Sequence, residues 1–395
     1  MSTSLFIGLM SGTSMDGIDG VLVDFGTGDD AHGSANQPVM RVLADHHLPF
    51  PPALAAELLA LNTPGDDELH RAALAGNALA RLQAQVVAGL LSASGRAAAD
   101  VRAVGSHGQT VRHRPGEFDG TGYTLQLNQP ALLAELTGID VVADFRTRDV
   151  AAGGQGAPLV PAFHDAVFGG APRPRALLNL GGIANLTLLP DPSTPGRERL
   201  LGFDCGPANA LMDAWCALHH GTPYDDRGAW AASGQVHAGL LARLRADPFF
   251  VAPPPKSTGR DLFHLAWLQG HLDALPPSTS TVDGAPPPSA VDVQATLLAL
   301  TSSTAIDALR AHAPATRELL VCGGGAFNDA LMADLAARWP GLDVASTSRA
   351  GLPPMQVEAA AFAWLARAFV ERQPGNRPSV TGARGDRLLG ALYPA

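Results

Sequence analysis

Lysine is almost absent from the sequence: Lys256 stands alone beside 26 arginines in 395 residues. Acidic residues outnumber basic ones by 37 to 27, for a formal net charge of −10, and the arginines are scattered rather than clustered. Proteins that bind nucleic acid need a basic patch, so we expect no DNA or RNA partner. Abundant Ala, Gly and Pro suggest GC-biased coding that replaced lysine by arginine. Lys256 then marks either a site that arginine does not fit or a surface lysine left by chance.

Cysteine is scarce as well, and long hydrophobic runs are missing. The three cysteines lack the CxxC spacing of a zinc site, and their odd number argues against a disulfide framework. No Lys or Arg precedes Arg41, so the basic start of a secretory signal is absent. Apolar runs such as Val86–Leu91 are far shorter than a membrane span. We therefore expect a cytoplasmic protein with reduced thiols and no membrane partner.

The composition is typical of a globular protein, with 46% hydrophobic and 16% charged residues. At about 150 residues per domain, the length allows two domains. The strand pattern also begins twice. Apolar runs at Leu5–Leu9 and Ile18–Phe25 predict one β-hairpin, and those at Arg175–Leu180 and Leu186–Leu189 predict another. Helical spacing predicts helices at 68–94, 130–137, 209–219 and 328–338.

This repetition predicts two similar α/β domains with a cleft between them. We expect the N-terminal domain at residues 1–150 and the C-terminal domain at residues 151–395. A closing amphipathic helix is predicted at Gln356–Arg372, and its packing back onto the N-terminal domain stays open. The Pro/Ser/Thr-rich stretch Leu275–Ser289 indicates an exposed loop insertion.

Glycine-rich turns mark both hairpins, and a third follows a later strand. Gly12–Asp19 combines glycines with hydroxyls and two carboxylates, Gly181–Asn185 is chemically similar, and Gly323–Gly325 ends a strand. Backbone N–H groups at such turns can converge on a phosphate, and Asp16 or Asp19 would suit Mg²⁺ held through water. Neither hairpin turn matches a P-loop, and no GxGxxG follows a strand. Ordinary hairpin turns use the same residue types, so that alternative stays open.

Several sequence blocks together carry a family likeness. They are Gly8–Gly17, Gly105–Thr110, Asp144–Arg146, Gly153–Pro161, Asn179–Asn185, Gly202–Pro207, Lys256–Arg260 and Cys322–Asn328. In these blocks the sequence resembles the anhydro-N-acetylmuramic acid kinase family over essentially the whole chain. Each block alone would be weak, and their combination is specific. One departure is Ala208, where the family usually has glycine; alanine there would be strained if the position needs a positive φ.

The resemblance implies a fold and a reaction. The fold is the two-domain, actin-like ATPase and sugar-kinase fold, a duplicated ribonuclease H-like α/β architecture with an interdomain cleft. The reaction converts 1,6-anhydro-N-acetylmuramic acid, ATP and water into N-acetylmuramic acid 6-phosphate and ADP, in bacterial peptidoglycan recycling. ATP and Mg²⁺ are the implied cofactors, the partners are small molecules, and a homodimer stays open.

The resemblance and the residue chemistry together imply the site residues. Asp204 is the expected catalytic base, because water attacking C1 of the sugar needs a carboxylate to take its proton. His107, Gln109, Arg146 and Glu358 are expected at the sugar, where the planar guanidinium of Arg146 suits a carboxylate. The expected ATP-binding residues are Gly12, Thr13, Ser14, Met15, Asp16, Gly17, Ile18, Asp19, Gly181, Gly182, Gly323, Gly324, Gly325 and Asn328.

Structural roles compete with these functional ones. Asp204, expected at a strand end, could cap the following helix, and Arg146 could pair with Asp144 or Asp149 to fix a loop. Glu358 could be a first-turn charge stabilised by its helix dipole. At the level of the whole protein, the alternatives are a kinase for another sugar and a non-enzymatic actin-like or Hsp70-like nucleotide switch.

Overall fold

The computed structural model describes residues 4–12, 15–26, 40–191, 193–195, 199–254, 256–259, 262–275 and 287–395. Within these ranges the chain forms two compact units. Unit 1 comprises residues 1–168 and 356–395, and unit 2 comprises residues 169–355. The first break thus comes after residue 168 rather than 150, and the chain returns to unit 1 at its C-terminal end. The centre of the predicted loop insertion, residues 276–286, lies outside the described residues.

Strands and helices alternate along both units. The strands are β1 (Leu5–Met10), β2 (Gly17–Asp24), β3 (Arg41–Pro49), β4 (Val101–Ser106), β5 (Gln109–Pro115), β6 (Gly122–Leu127), β7 (Val141–Ala143), β8 (Arg175–Leu180), β9 (Ile183–Leu188), β10 (Leu201–Pro207), β11 (Glu318–Cys322), β12 (Asp343–Ser346) and β13 (Ala391–Tyr393). The helices are α1 (Pro52–Ala60), α2 (Glu68–Ser94), α3 (Pro130–Thr137), α4 (Thr147–Ala151), α5 (Val160–Phe168), α6 (Asn209–His219), α7 (Ala229–Ala232), α8 (Ala238–Arg245), α9 (Pro248–Val251), α10 (Leu265–Asp273), α11 (Ala290–His312), α12 (Asp329–Arg338), α13 (Val357–Val370) and α14 (Pro378–Thr381). No helix of the described part of the chain is long and apolar enough to cross a membrane.

Unit 1 is built on a six-stranded sheet in the order β13-β7-β4-β1-β2-β3. The β1–β2–β3 strands form an antiparallel meander, and β1, β4 and β7 run parallel. Helix α13 lies directly on β1 and β4 at two glycines. A Cβ on Gly8 would collide with the carbonyl of Ala359, and one on Gly105 with that of Phe362. The closing helix therefore belongs to unit 1, and its first turn is fixed against this sheet.

Unit 2 is built on a five-stranded sheet in the order β10-β9-β8-β11-β12. Strands β8, β9 and β10 form an antiparallel meander, and β8, β11 and β12 run parallel. Helices α6, α11 and α12 contribute buried side chains such as Leu211, Leu300 and Leu335 to one hydrophobic core with the sheet. Unit 2 thus has its own core, as its size predicts.

The two sheets share one strand order. In each, a three-strand meander is followed by two parallel strands beside its first strand, and unit 1 adds β13 at the edge. This shared order confirms the predicted fold class, an α/β fold built from two similar halves. The predicted cleft between the halves stays a prediction.

Candidate active site

In unit 1, two sequence-predicted residues, His107 and Arg146, and a third residue, Ser11, follow the ends of parallel strands. His107 follows β4, Arg146 follows β7 by a short turn, and Ser11 follows β1. The carboxyl ends of parallel strands lie at one edge of a sheet, where α/β proteins bind ligands. Asp144, between β7 and Arg146, has a φ of 59°, a left-handed backbone that is uncommon outside glycine. This bend lies two residues before Arg146.

The ring of His107 holds the guanidinium of Arg146. Nε2 of His107 accepts hydrogen bonds from Nε of Arg146 at 3.2 Å and from its Nη2 at 3.0 Å. Since Nε2 is an acceptor, the ring proton lies on Nδ1, which donates to the carbonyl oxygen of Ser11 at 3.2 Å. Burial and the neighbouring Arg146 charge lower the pKa of His107 to about 3. His107 is therefore neutral near pH 7 and orients Arg146.

Arg146 is a half-buried cation without an ion pair in the described ranges. Its third hydrogen bond runs from Nη1 to the carbonyl oxygen of Gly156 at 2.8 Å, and no carboxylate oxygen of a described residue lies within 4.0 Å. Burial lowers the pKa of Arg146 to about 10, against the opposing effect of Glu358 and Asp149. Asp149 instead accepts from the backbone N–H of Gly156 at 2.8 Å and from Asn376 at 2.7 Å. The alternative role of Arg146, an ion pair with Asp144 or Asp149 that fixes a loop, is therefore absent among the described residues.

Glu358 and Asp19 are an acidic pair of unit 1 in the sense that the charge of Asp19 acts on Glu358, and the charge of Arg146 also acts on Glu358. Glu358 lies in the first turn of α13, and its pKa is raised by burial and by the negative charge of Asp19. Burial also raises the pKa of Asp19, although its Oδ1 lies 2.8 Å from Nδ1 of His47. Asp16 is exposed and directly precedes the same strand, β2. Two carboxylates whose charges repel each other favour a nearby cation.

This acidic pair suits Mg²⁺ better than a metal that needs a full protein cage. Among the described residues, no three His, Cys, Asp or Glu side chains are grouped to hold a metal ion. Mg²⁺ usually keeps several waters and binds through one or two carboxylates plus substrate phosphates. Asp19 is a carboxylate of that kind, and the expectation of Asp16 or Asp19 as a partial ligand of Mg²⁺ stays a prediction.

Gln109, at the start of β5, is tied to the first glycine turn. Its Nε2 donates to the carbonyl oxygen of Gly12 at 3.1 Å, and its buried Oε1 has no partner among the described residues. Such an orphaned acceptor is costly unless a ligand completes it. Thr13 and Ser14 lie outside the described residues. Met15 has a φ of 55°, whereas Gly17, Ile18 and Asp19 belong to β2, with Ile18 fully buried in the core.

In unit 2, Asp204 lies inside β10, so its expected place at the end of a strand is wrong. The register of β10 against β9 shifts between Asp204 and Gly206, and such bulges re-aim side chains. Oδ1 of Asp204 accepts from Nδ2 of Asn185 at 2.8 Å, and Oδ2 accepts from the backbone N–H of Thr258 at 2.8 Å. The N-cap of α6 is Ala208, so Asp204 does not cap that helix.

The surroundings of Asp204 make its carboxylate a better base than an exposed one. Burial raises its pKa, while the two hydrogen bonds and the Lys256 charge oppose that effect and keep the carboxylate oriented. The hydroxyl of Thr258 is buried beside it, with no partner in the described ranges. The sequence prediction gave no role to Asn185 or Thr258, although both stand in blocks that carry the family resemblance.

Two glycines of unit 2 differ in whether the fold itself requires glycine at that position. A Cβ on Gly181 would meet only the Ile183 carbonyl oxygen, at 3.9 Å, so packing leaves this position open to a ligand. Gly323, by contrast, has a φ of 77°, and a Cβ would come within 2.5 Å of Oδ1 of Asn179. The fold alone therefore requires glycine at 323. The carbonyl of Gly181 accepts from the backbone N–H of Asn209 at 3.0 Å, which joins this turn to α6.

The remaining predicted residues lie around the start of α12. Gly324 and Gly325 begin a short 3₁₀ turn at Gly324–Phe327, and the side chain of Asn328 caps α12 by accepting from Leu331 N–H at 2.9 Å. The Gly182 carbonyl accepts from the backbone N–H of Ala208 at 3.0 Å. Ala208 has a φ of −126°, so alanine there is not forced into the left-handed region.

Comparison with known proteins connects these features to a family. The family model described as "Anhydro-N-acetylmuramic acid kinase" matches residues 4–395. A relative of that name from Variovorax paradoxus is 62% identical over 100% of both chains, and one from Cupriavidus metallidurans is 57% identical over 100% of this chain and 98% of its own. Among solved structures, a ROK family glucokinase from Streptomyces griseus in complex with glucose and AMPPNP has a TM-score of 0.39 and 16% identity, covering 91% of this chain and 99% of its own.

Proposed function

Because the chain belongs to the anhydro-N-acetylmuramic acid kinase family, we propose that it phosphorylates 1,6-anhydro-N-acetylmuramic acid with ATP while water opens the anhydro ring. Oxygen from water bonds to C1 as the C1–O6 bond breaks, and O6 accepts the γ-phosphoryl group that leaves ADP. The products are N-acetylmuramic acid 6-phosphate and ADP. This reaction serves the recycling of cell-wall sugars in the cytoplasm, where ATP is available.

The arrangement of Asp204 is the observation that carries this proposal. Water is a poor nucleophile, so its attack on C1 needs a base, a contribution of about 10²–10⁴-fold. Asp204 is held by one donor on each oxygen, and burial raises its pKa. As the base, Asp204 takes the proton that the attacking water loses. The unpartnered hydroxyl of Thr258 would hydrogen-bond to that water or to the sugar.

Arg146 supports the assignment of the sugar. The substrate carries a lactyl carboxylate, and a guanidinium held by a neutral histidine, without an ion pair of its own, is suited to it. The orphaned Oε1 of Gln109 can accept from a sugar hydroxyl or from the N-acetyl N–H. The negative charge of Glu358 raises the pKa of Arg146 and so favours its charged form.

ATP is assigned to the glycine turns that contain Gly12 in unit 1 and Gly181 in unit 2. At Gly181 a Cβ would meet only one protein atom, at 3.9 Å, so the backbone is open to a phosphate. Mg²⁺ bound with ATP would neutralise the charge that develops on the transferred phosphoryl group. Asp16 and Asp19 are the proposed partial ligands of that ion. A homodimer is a separate proposal, which light scattering of the purified protein tests.

The experiment is a comparison of phosphoryl acceptors with [γ-³²P]ATP. The anhydro-sugar should be labelled, while N-acetylmuramic acid, glucose and glycerol should not. In H₂¹⁸O, rapidly quenched product should carry ¹⁸O at C1 and none in its phosphate. Labelling of another sugar in preference would favour a different kinase. ATP hydrolysis that does not depend on sugar would favour a nucleotide switch.

A further inference from the structure

The segment 256–259 is bound to Asp204 at two points. Backbone N–H of Asp204 donates to the carbonyl oxygen of Lys256 at 3.0 Å, and backbone N–H of Thr258 donates to Oδ2 of the Asp204 carboxylate at 2.8 Å. This segment has no regular secondary structure. Any shift of the segment would therefore remove one of the two donors that orient the carboxylate.

The side chain of Lys256 anchors the segment. Its Nζ donates to the carbonyl oxygens of Phe249 at 2.9 Å and Phe250 at 3.1 Å, and it lies 4.6 Å from the centroid of the Phe249 ring. Both carbonyls belong to α9, next in space to β10. A compact ammonium can meet two converging carbonyls and a ring face at once, whereas the wider planar fork of arginine cannot occupy the same point.

We propose that Lys256 is a positioning residue for Asp204: its ammonium ties the segment 256–259 to α9 and so holds the N–H of Thr258 on the carboxylate. This proposal rests on the proposed role of Asp204 as the base. It also explains why this chain keeps one lysine among 26 arginines. The alternative of a solvated surface lysine left by chance does not account for the two carbonyl contacts.

The charge of Lys256 interacts with three other titratable groups. They are Asp204 and Cys205 on β10 and His312 at the end of α11. Burial raises the pKa of the Cys205 thiol far above neutrality, and burial with the Lys256 charge lowers the pKa of His312. Both are therefore uncharged near pH 7. The charge of Lys256 then acts chiefly on Asp204, whose pKa it lowers.

The test compares Lys256→Arg and Lys256→Met in the full-length chain. Both variants should lose about 10-fold or more in kcat because the Thr258 donor is misplaced, while KM for ATP and the melting temperature stay near wild type. Lys256→Met also removes the charge, so the acid limb of its kcat–pH profile should move to higher pH by about 0.5 unit or more. Lys256→Arg should leave that limb close to its wild-type position.

Arg310→Met is the matched control. Arg310 also donates to a backbone carbonyl, that of Arg338, and lies 5.2 Å from the centroid of an aromatic ring, that of Trp339. It makes no contact with Asp204, so its loss should leave kcat and the pH profile unchanged. Wild-type kcat in both Lys256 variants would overturn the positioning role, as would a loss of kcat matched by a lower melting temperature and a higher KM for ATP. Asp204→Asn, measured alongside, separates this outcome from failure of the proposed function, because retained activity in that variant would overturn the base itself.

Discussion

Replacing Arg146 by methionine tests whether the half-buried cation of unit 1 binds the carboxylate of the sugar. The guanidinium is positioned by three hydrogen bonds, two to His107 and one to Gly156. Methionine keeps much of the side-chain length and volume but provides neither charge nor donors. A substrate carboxylate would then enter a partly desolvated site without a partner, and its binding should weaken.

The size of the effect follows from the bonds that would be lost. A hydrogen bond to a charged group contributes about 1.5–3 kcal/mol. At about 1.4 kcal/mol for each factor of ten, KM for the anhydro-sugar should rise about 10- to 150-fold. KM for ATP should stay near wild type, since no proposed nucleotide contact involves Arg146. Arg112, which already pairs with Glu68 at 2.7 Å in the same unit, provides the control, and Arg112→Met should not change KM for the sugar.

The assay is a cycle that combines the enzyme variant with a substrate variant. An anhydro-sugar that lacks the lactyl ether should bind wild-type protein about as weakly as the full substrate binds Arg146→Met. The two changes together should raise KM little more than either one alone, because they remove the same interaction. Additive losses in KM would show that Arg146 and the lactyl carboxylate act independently, and would refute this assignment.

Two further predictions concern the glycine turn at Gly181 and the buried histidine His164. Gly181→Val should raise KM for ATP about 10-fold or more without lowering the melting temperature, because a Cβ there meets only one protein atom, at 3.9 Å. Gly323→Val should instead lower the melting temperature. Equal KM values for ATP in Gly181→Val and wild type would show that the nucleotide does not bind at Gly181. Burial lowers the pKa of His164 from 6.5 to about 3, so unfolded chains take up this proton first and stability falls as the pH drops below 6.5. At pH 5.5 this one group lowers the free energy of unfolding by about 1.4 kcal/mol relative to high pH. The melting temperature of wild type should therefore fall by roughly 3–6 °C more than that of His164→Phe between pH 7.5 and pH 5.5. Equal falls in the two proteins would contradict this prediction.

Local sequence patterns predicted the regular elements well where one face is clearly apolar. The helices α2, α3 and α6 and the strand β8 have the bounds that periodicity predicted. Among the elements that were missed are the hairpin β5–β6 and helix α5. In β5 and β6 most side chains are only partly buried, so no alternation of apolar and polar residues marks them. Helix α5 follows a glycine-rich loop and begins beside Pro161, which obscured its start.

The sequence named candidate site residues but could not give their geometry. Resemblance supplied Asp204, His107 and Arg146, yet no local pattern could show that His107 is a neutral acceptor for Arg146. That fact depends on burial and on a contact across 39 residues of sequence. Asp204 was wrongly predicted at a strand end because β10 continues past it to Pro207. The register shift against β9 at this point is a property of strand pairing, which the sequence of one strand does not show.

The same reasoning explains why the first break between domains was predicted too early. Residues 151–168 read as a glycine-rich loop and its continuation, so nothing local assigns them to unit 1. Helix α13, which packs against α5 and the sheet of unit 1, draws both segments into one compact unit. The contact between α5 and α13 joins parts of the chain far apart in sequence, and only the folded structure shows it.

The central claim is that Asp204 takes the proton from the water that opens the anhydro-sugar. The most direct measurement is the single-turnover rate of phosphoryl transfer to that sugar in Asp204→Asn, with ATP binding measured in the same preparation. Asparagine keeps the shape of the side chain but cannot accept the proton, so the rate should fall about 100-fold or more while ATP affinity is retained. A variant that keeps more than about a tenth of the wild-type rate would contradict the role of Asp204 as general base.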